Sequence, residues 1–354
     1  MRRTRFLIVR IGALGDVAVS TVTLNRLRAE HPDAHVAWLC GTSSAPAVQL
    51  LGVDDVITVN DAALFRGGVL RRAAAMASVW RALLTRHFDV VLMLHADRRY
   101  RVLVAPLVRA EVRALAHGQN PLLNRFRGDE YARLLDEPPG RHGPRERRAF
   151  LSDVRGALAR QASAIGAAGI TRRVAMAPGG ARNLLRDDAL RRWPVERYVE
   201  LARRLGDAGY EVVLVGDAGD AALRPRFAGV PVRDLIGQLS VVELMCVLRD
   251  ADVLVTHDTG PLHLARLVRT RVVGIFGPTD PQHVVGEGDD VVSLWGGAHL
   301  ACRPCYDGLR YADCGNNLCV QSVSAEDAFN AVASQLERAS GATREHLENA
   351  GHAI

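Results

Sequence analysis

Residues 8–20 read IVRIGALGDVAVS and predict a short apolar strand, a glycine turn through Gly12 and Gly15, and then a helix. The dinucleotide fingerprint G-x-G-x-x-G would need a further glycine here, but Asp16 follows Gly15 at once. A carboxylate at a helix start repels a pyrophosphate, so Asp16 either caps the helix or accepts a proton. The stretch therefore predicts an α/β unit whose turn is not a phosphate site.

The rest of the chain repeats this alternation of apolar strands and helices. The 354 residues suit two domains of ordinary size. Strands are predicted at 5–11, 35–40, 55–59, 89–95, 173–180, 211–217, 252–258 and 271–278, and helices at 16–30, 149–166, 195–209 and 240–251. A charged, turn-rich stretch from about 136 to 148 is predicted to be a loop or linker. The pattern predicts two doubly wound parallel sheets with ligands in a cleft at the strand carboxyl ends.

Composition removes several function classes. The chain contains no lysine, so all 45 basic residues are arginine. A pyridoxal-phosphate enzyme and a Walker A loop both need a lysine, and both are excluded. The net charge of +6 favours an anionic partner, but aromatic residues make up only 5% and no nucleic-acid motif is present. A small anionic substrate therefore fits better than nucleic acid.

No apolar run approaches the length that crosses a bilayer, and no small-residue cleavage site follows the basic start. We therefore expect a cytoplasmic protein.

Three predicted strand ends in the second half carry polar clusters, at 177–194, 214–220 and 255–265. The third is the most specific, because Asp258-Thr259-Gly260-Pro261 ends an apolar strand and begins a helix. The exposed N–H groups of that helix start suit a phosphate. Read alone, Asp258 and Thr259 could simply be N-caps. Glycines and arginines at the neighbouring strand ends favour the phosphate site.

Taken in order along the chain, four segments resemble glycosyltransferase family 9, which contains the ADP-heptose:lipopolysaccharide heptosyltransferases. They are the strand with its G-x-x-G-D turn, APGGAR closing on RRWP, HDTGPLHLA and GIFGPTDP. The resemblance implies a GT-B fold, two Rossmann-like domains facing across a cleft. Residues 1–168 would bind the acceptor and 169–340 the nucleotide sugar, with 341–354 a flexible tail.

The resemblance also implies roles for individual residues. Asp16 would be the general base that deprotonates the acceptor hydroxyl. Arg191 stands where the heptosyltransferases usually carry a lysine and would steady the leaving phosphate, although arginine changes the geometry there. The remaining donor-site candidates are Gly179, Gly180, Arg182, Arg192, Asp217, Leu239, Asp258, Thr259, Gly260 and His263. Histidines placed as His257 and His263 are, next to such a turn, more often packed in the interior than catalytic.

The sequence indicates fewer residues for the acceptor than for the donor. Gly15 in the turn, Arg66 in the first half, and Arg98 and Arg99 after the fourth strand are candidates to meet a phosphorylated or carboxylated sugar lipid. A solvated arginine-rich surface is the alternative.

Four of the six cysteines lie in one segment, at Cys302, Cys305, Cys314 and Cys319. Their spacing makes them a candidate structural zinc site; reduced or disulfide-linked thiols are the alternative. Cys40 and Cys246 are expected in the core.

We therefore expect an inverting, metal-independent transferase that moves a heptose from ADP-heptose to an anionic saccharide acceptor of the lipopolysaccharide inner core. It would need no cofactor and would touch the inner membrane only peripherally, through its acceptor. The alternatives are another nucleotide sugar, a different acceptor, or a catalytically silent sugar-nucleotide-binding protein.

Overall fold

The fold was analysed in a computed structural model that describes residues 3–115, 126–136, 152–166, 172–183, 186–286, 288–307 and 311–351, with side chains through 338. Most of the predicted 136–148 loop and the predicted domain boundary at 168–169 lie outside the described residues.

The first half forms a five-stranded parallel sheet with strand order β3-β2-β1-β4-β5. Its strands are β1 (Arg5–Val9), β2 (His35–Gly41), β3 (Asp55–Val59), β4 (Val90–Met93) and β5 (Glu111–Ala114). The helices are α1 (Leu14–Glu30), α2 (Ala45–Gln49), α3 (Asp61–Arg66), α4 (Val69–Leu84) and α5 (Arg127–Ala132), with 3₁₀ helices at Arg98–Val104 and Arg133–Leu135. The central strands are apolar on both faces because helices cover both sides of a parallel sheet.

The second half forms a six-stranded parallel sheet with order β11-β10-β9-β6-β7-β8. Its strands are β6 (Arg173–Ala177), β7 (Glu211–Leu214), β8 (Val232–Asp234), β9 (Val253–His257), β10 (Arg271–Phe276) and β11 (Val291–Trp295). The helices are α6 (Val195–Asp207), α7 (Val241–Arg249), α8 (Gly260–Leu267), α9 (Pro281–Val284), α10 (Leu318–Gln321) and α11 (Ala325–Gly351), with 3₁₀ helices at Ala189–Arg191 and Ala218–Phe227. The predicted pair of doubly wound parallel sheets is confirmed.

Helix α1 is buried around most of its circumference, from Val17 through Leu24. It packs against its own sheet, against α5 and against α8 of the second domain. This explains why its sequence lacks the one-sided apolar stripe of a surface helix. The two helices begin side by side, since a Cβ added to Gly15 would lie 3.6 Å from the Gly260 Cα. Two helix N-termini are thereby placed at the cleft.

The predicted helix at 149–166 is wrong over its described part. Residues 152–166 form turns with no helix. Val154 and Leu158 are buried, and the Val154 amide donates to the Leu267 carbonyl at 3.0 Å. Single turns form beside this anchor, such as the one closed by the Leu158 amide on the Val154 carbonyl at 3.2 Å, so tertiary contacts override the longer helical pattern. At the other end, α11 carries helical backbone into the predicted tail.

Candidate active site between the two domains

A cavity of about 910 Å³ lies between the two domains. Its walls are formed mainly by residues that follow β1 to β4 in the first sheet and β6 to β10 in the second. Ligand sites of open α/β sheets lie at such carboxyl edges, and this volume is large enough for a nucleotide-sized ligand.

Asp16 stands in the first turn of α1, on the cavity wall. Its carboxylate contacts the Arg10 guanidinium at 2.6 Å and the Arg127 guanidinium at 3.4 Å. Burial would raise the pKa of the Asp16 carboxyl, but the two guanidinium groups outweigh it and hold the pKa well below its ordinary value. Ala13, and not Asp16, occupies the N-cap position of α1. An ionised carboxylate therefore faces the cavity, 29% of its side chain exposed.

A neutral histidine holds the turn that carries Asp16. The Ile11 amide donates to Nε2 of His95 at 2.9 Å, and the His95 ring stacks on Tyr100 at 3.7 Å. Burial, with the nearby Arg10 charge, puts the pKa of His95 well below its ordinary value, so the ring stays neutral and Nε2 can accept.

The N-terminus of α8 has no side-chain cap. Thr259 occupies the N-cap position, but its hydroxyl accepts from the Ala181 amide at 2.8 Å instead of bonding back to its own helix. The hydroxyl thus joins β9 to the loop after β6. Amides left without a cap at a helix start favour an anion, and this helix start lines the cavity.

Asp258 is buried just before this helix. It accepts from the Thr279 hydroxyl at 2.9 Å and lies 3.4 Å from the Arg191 guanidinium. Burial would raise the pKa of Asp258, but the Arg191 charge and then His263 lower it. Arg191 also contacts Asp188 at 2.8 Å. Its charge is therefore held in place at the cavity wall.

The glycine turn after β6 packs on a buried carboxylate. The Gly180 amide donates to Asp220 at 2.9 Å, and Arg182 contacts the same carboxylate at 2.6 Å and also pairs with Asp217. A Cβ on Gly179 would lie 2.1 Å from the Asp220 carboxylate oxygen. Only glycine fits there, and the backbone is thereby brought close to the cavity.

The two histidines of the HDTGPLHLA segment differ in place. His257 is buried and hydrogen-bonds through Nδ1 to the Tyr198 hydroxyl at 3.0 Å; burial lowers its pKa to about 3. His263 lines the cavity, and burial lowers its pKa to about 4. Both rings are neutral at physiological pH.

Most predicted site residues are brought to the one cavity. They are Gly15, Asp16, Arg66, Gly179, Gly180, Arg182, Arg191, Asp217, Leu239, Asp258, Thr259, Gly260 and His263. Arg192 is absent from the cavity wall, because its guanidinium donates to the Gly180 carbonyl at 3.0 Å and pairs with Asp187. Arg98 and Arg99 are exposed outside it, with Arg99 paired to Asp97 at 2.6 Å.

The four clustered cysteines have free thiols, from exposed Cys302 to buried Cys319. Within the described ranges no group of three or more His, Cys, Asp or Glu side chains is placed to hold a metal ion. Structural zinc at these cysteines stays a prediction. Cys40 and Cys246 lie in the core, as expected.

Sequence reasoning missed several cavity residues. Arg10 directly follows β1, so the sequence could have predicted its position at the carboxyl edge of the sheet. Arg127, Tyr306 and Tyr311 come from segments with no motif and reach the cavity only through folding. Arg127 hydrogen-bonds with Tyr306, which links the two domains beside Asp16.

Part of the chain is similar in sequence to known proteins. Residues 151–313 match the family model of glycosyltransferase family 9 (heptosyltransferase). Lipopolysaccharide heptosyltransferase 2 of Escherichia coli K12 is 33% identical over 99 residues, covering 26% of this chain and 28% of that protein. Lipopolysaccharide heptosyltransferase 1 of Pseudomonas aeruginosa is 34% identical over 117 residues, covering 32% of each. The aligned part thus spans a third or less of these relatives.

Solved structures extend the likeness to the whole fold. The structure of E. coli ADP-heptose lps heptosyltransferase II matches with a TM-score of 0.72 at 16% identity. The match covers 95% of this chain and 100% of that chain. E. coli heptosyltransferase WaaC with ADP has a TM-score of 0.71 at 17% identity and covers 94% of this chain and 100% of its own. The predicted GT-B fold is confirmed, and so is the predicted resemblance to glycosyltransferase family 9, which the family model carries over residues 151–313.

Proposed function

We propose that this protein is an inverting glycosyltransferase that transfers a heptose from ADP-heptose to an anionic saccharide of the lipopolysaccharide inner core. One observation carries the proposal: the ionised Asp16 and the uncapped N-terminus of α8 lie beside each other in a single interdomain cavity. The first can accept a proton and the second can hold a diphosphate. The family match and the heptosyltransferase folds support the choice of sugar.

On the donor side, the diphosphate would lie against the start of α8 and the turn at Gly179 and Gly180. Arg191 and Arg182 line the same wall and would meet its negative charge. Guanidinium groups can serve here in the place that a divalent cation takes in other transferases, so we propose a metal-independent reaction without a cofactor. A bound structure of WaaC with ADP supports adenosine diphosphate as the leaving group.

On the acceptor side, the cavity continues past Asp16 to Phe65, Arg66 and Tyr100. Arg66 would meet an anionic group of the sugar acceptor.

No helix of the described chain is long and apolar enough to cross a bilayer. We propose that the protein works in the cytoplasm and meets the inner membrane peripherally, where a lipid-linked acceptor is presented.

In the reaction, the Asp16 carboxylate takes the proton of the acceptor hydroxyl as that oxygen attacks the anomeric carbon from the face opposite the diphosphate. The bond from the anomeric carbon to the diphosphate oxygen breaks, and the leaving ADP carries the electron pair as added negative charge. Arg191 and the α8 N-terminus stabilise that charge as it develops. Inversion follows from the single displacement.

Calorimetric binding of ADP-heptose, ADP, UDP, GDP and CMP to the purified protein tests the donor. Selective binding of ADP and ADP-heptose is expected. Preference for another nucleotide would discard the heptosyl assignment, and no nucleotide binding would discard the transferase proposal. Product analysis by NMR with a lipopolysaccharide core acceptor then tests inversion at the anomeric carbon.

Gly179→Ala is expected to weaken ADP binding by about 10²-fold. Its Cβ would collide with Asp220, which is 3% exposed and bonded to Gly180 and Arg182, so the turn must shift by roughly an ångström. The dissociation constant is measured by calorimetry. Gly156→Ala is the control, because no atom lies within 4 Å of its added Cβ. Equal affinities in folded Gly179→Ala and wild type would refute the placement of the diphosphate.

Arg127→Gln is expected to move the acidic limb of the kcat/KM profile to higher pH by about one unit. Arg127 is one of two cations that lower the pKa of Asp16, so its loss raises that pKa and the base is protonated at a higher pH. Steady-state rates between pH 2 and 6 are measured, because the pKa of Asp16 in the wild type already lies below its ordinary value of 3.8. Arg203→Gln, on the exposed face of α6, should leave the limb in place. An unmoved limb in Arg127→Gln would exclude Asp16 as the titrating base.

A further inference from the structure

Exposed apolar side chains are concentrated in one layer of the first domain. In the described chain seven large apolar residues are exposed, and six of them lie between residues 69 and 112: Val69, Leu70, Leu84, Val102, Val108 and Val112. Leu70 is 85% exposed and Val108 is 87% exposed. Scattered apolar residues on a surface are ordinary, but six in one short segment need a reason.

The net positive charge of the protein is concentrated in nearly the same segment. Residues 62–110 contain nine arginines and two aspartates, a net charge of +7, whereas the whole chain carries +6. The remainder of the protein is therefore close to neutral. Eight of the nine arginines are exposed, namely Arg66, Arg71, Arg72, Arg81, Arg98, Arg99, Arg101 and Arg109. Arg86 is the exception, since it is half-buried and pairs with Asp55.

Residues 66–84, which include helix α4, and residues 98–112 form this outer layer, with α4 and the 98–104 helix side by side on one face of the first sheet. Ala75, Val79 and Leu83 of α4 face the sheet, which leaves the opposite side of the helix to solvent. The Trp80 indole donates to the Val102 carbonyl at 2.9 Å and joins the two segments. Helix α4 and the 98–104 helix are thus in contact, and both carry exposed arginine and apolar side chains.

The outer layer also reaches the cavity. The Phe65 ring, at the end of α3, packs edge-on against the Tyr100 ring with 6.1 Å between the ring centroids. Both rings line the cavity together with Arg66. If the outer layer rests on a membrane, a lipid-linked acceptor in that membrane would enter the cavity from the side lined by Phe65, Arg66 and Tyr100.

We propose that the outer layer, residues 66–84 and 98–112, docks onto the surface of a bilayer that contains anionic phospholipid. Arginine side chains pair with anionic headgroups while neighbouring apolar side chains enter the interface between headgroups and acyl chains. A second copy of the chain is a poorer occupant, because two surfaces of net charge +7 repel each other. The orientation toward a lipid-linked acceptor rests on the proposed function, whereas the docking itself does not.

Co-sedimentation with vesicles tests the docking on the full chain. We expect binding to phosphatidylcholine vesicles that contain 30% phosphatidylglycerol, weak binding to pure phosphatidylcholine, and loss of binding at 0.5 M NaCl, where charges are screened. Arg71→Glu with Arg72→Glu should weaken binding by about 100-fold. Val69→Asp with Leu70→Asp should weaken it by about tenfold or more.

Arg160→Glu with Arg203→Glu makes the same change in net charge on exposed residues elsewhere and should bind as the wild type does. Equal losses in this control would show general attraction of a basic protein and overturn the proposal. Light scattering that shows dimers broken by the outer-layer variants, with no vesicle binding, would also overturn it. ADP binding is measured on the same samples: absent vesicle binding with intact ADP binding refutes the docking alone, and absent ADP binding refutes the proposed function.

Discussion

Asp16→Asn is expected to lower kcat by about 10²–10⁴-fold while the affinity for ADP-heptose changes little. The substitution keeps the size of the side chain but removes the proton acceptor from the cavity wall. The residues proposed to hold the diphosphate belong to the second domain, so donor binding has no reason to fail. Single-turnover rates with saturating donor and acceptor give the effect, and calorimetry gives the donor affinity.

A folded variant is essential to this test, because the loss of the Asp16 carboxylate would leave the buried Arg10 charge with one partner fewer. Intact ADP binding and a cooperative thermal transition show that the variant is folded. Asp33→Asn is the matched control, since it makes the same change at an exposed position of the first domain. Turnover of Asp16→Asn within threefold of wild type would remove Asp16 from the chemistry and leave it as a structural ion-pair residue.

Arg191→Met is expected to lower kcat by about 10²–10³-fold, because the leaving diphosphate loses a fixed cation. It should also lower the free energy of unfolding by about 3 kcal/mol, since buried Asp258 would lose its guanidinium partner. Urea unfolding and steady-state kinetics measure the two effects. Arg191→Lys restores the charge and should recover much of both.

Arg192→Met is the control for this prediction. Its guanidinium bonds the Gly180 carbonyl and Asp187 and is absent from the cavity wall, so we expect a decrease in kcat of less than tenfold. A larger effect at Arg192 than at Arg191 would reverse the assignment of the two neighbouring arginines.

Arg10 and Arg127 also bear on how Asp16 acts as a base. Two cations keep it ionised across the physiological range, which guarantees that it can accept a proton but weakens its basicity. An anionic acceptor that neutralises part of this charge would strengthen the base at the moment of reaction. The pH profile of Arg127→Gln therefore reports on the base itself as well as on the acceptor side of the site.

Local patterns in the sequence were enough for the repeated βα units, because each parallel strand is a short apolar run that ends in a turn. They also placed Asp16 and the Asp258–Gly260 turn, since functional residues of open α/β sheets follow strand carboxyl ends. The four strands predicted in each half all exist, with ends shorter than predicted by a few residues in most cases.

Only the tertiary structure decided what surrounds these residues. Arg127 meets Asp16 across 111 positions of sequence, and Thr259 turns its hydroxyl to the Ala181 amide, 78 positions away, instead of capping its own helix. The 152–166 segment forms turns, and its Val154 amide donates to the Leu267 carbonyl at the end of α8. In each case a contact between segments distant in sequence outweighs a local preference worth about 1 kcal/mol or less, and no local pattern records such a contact.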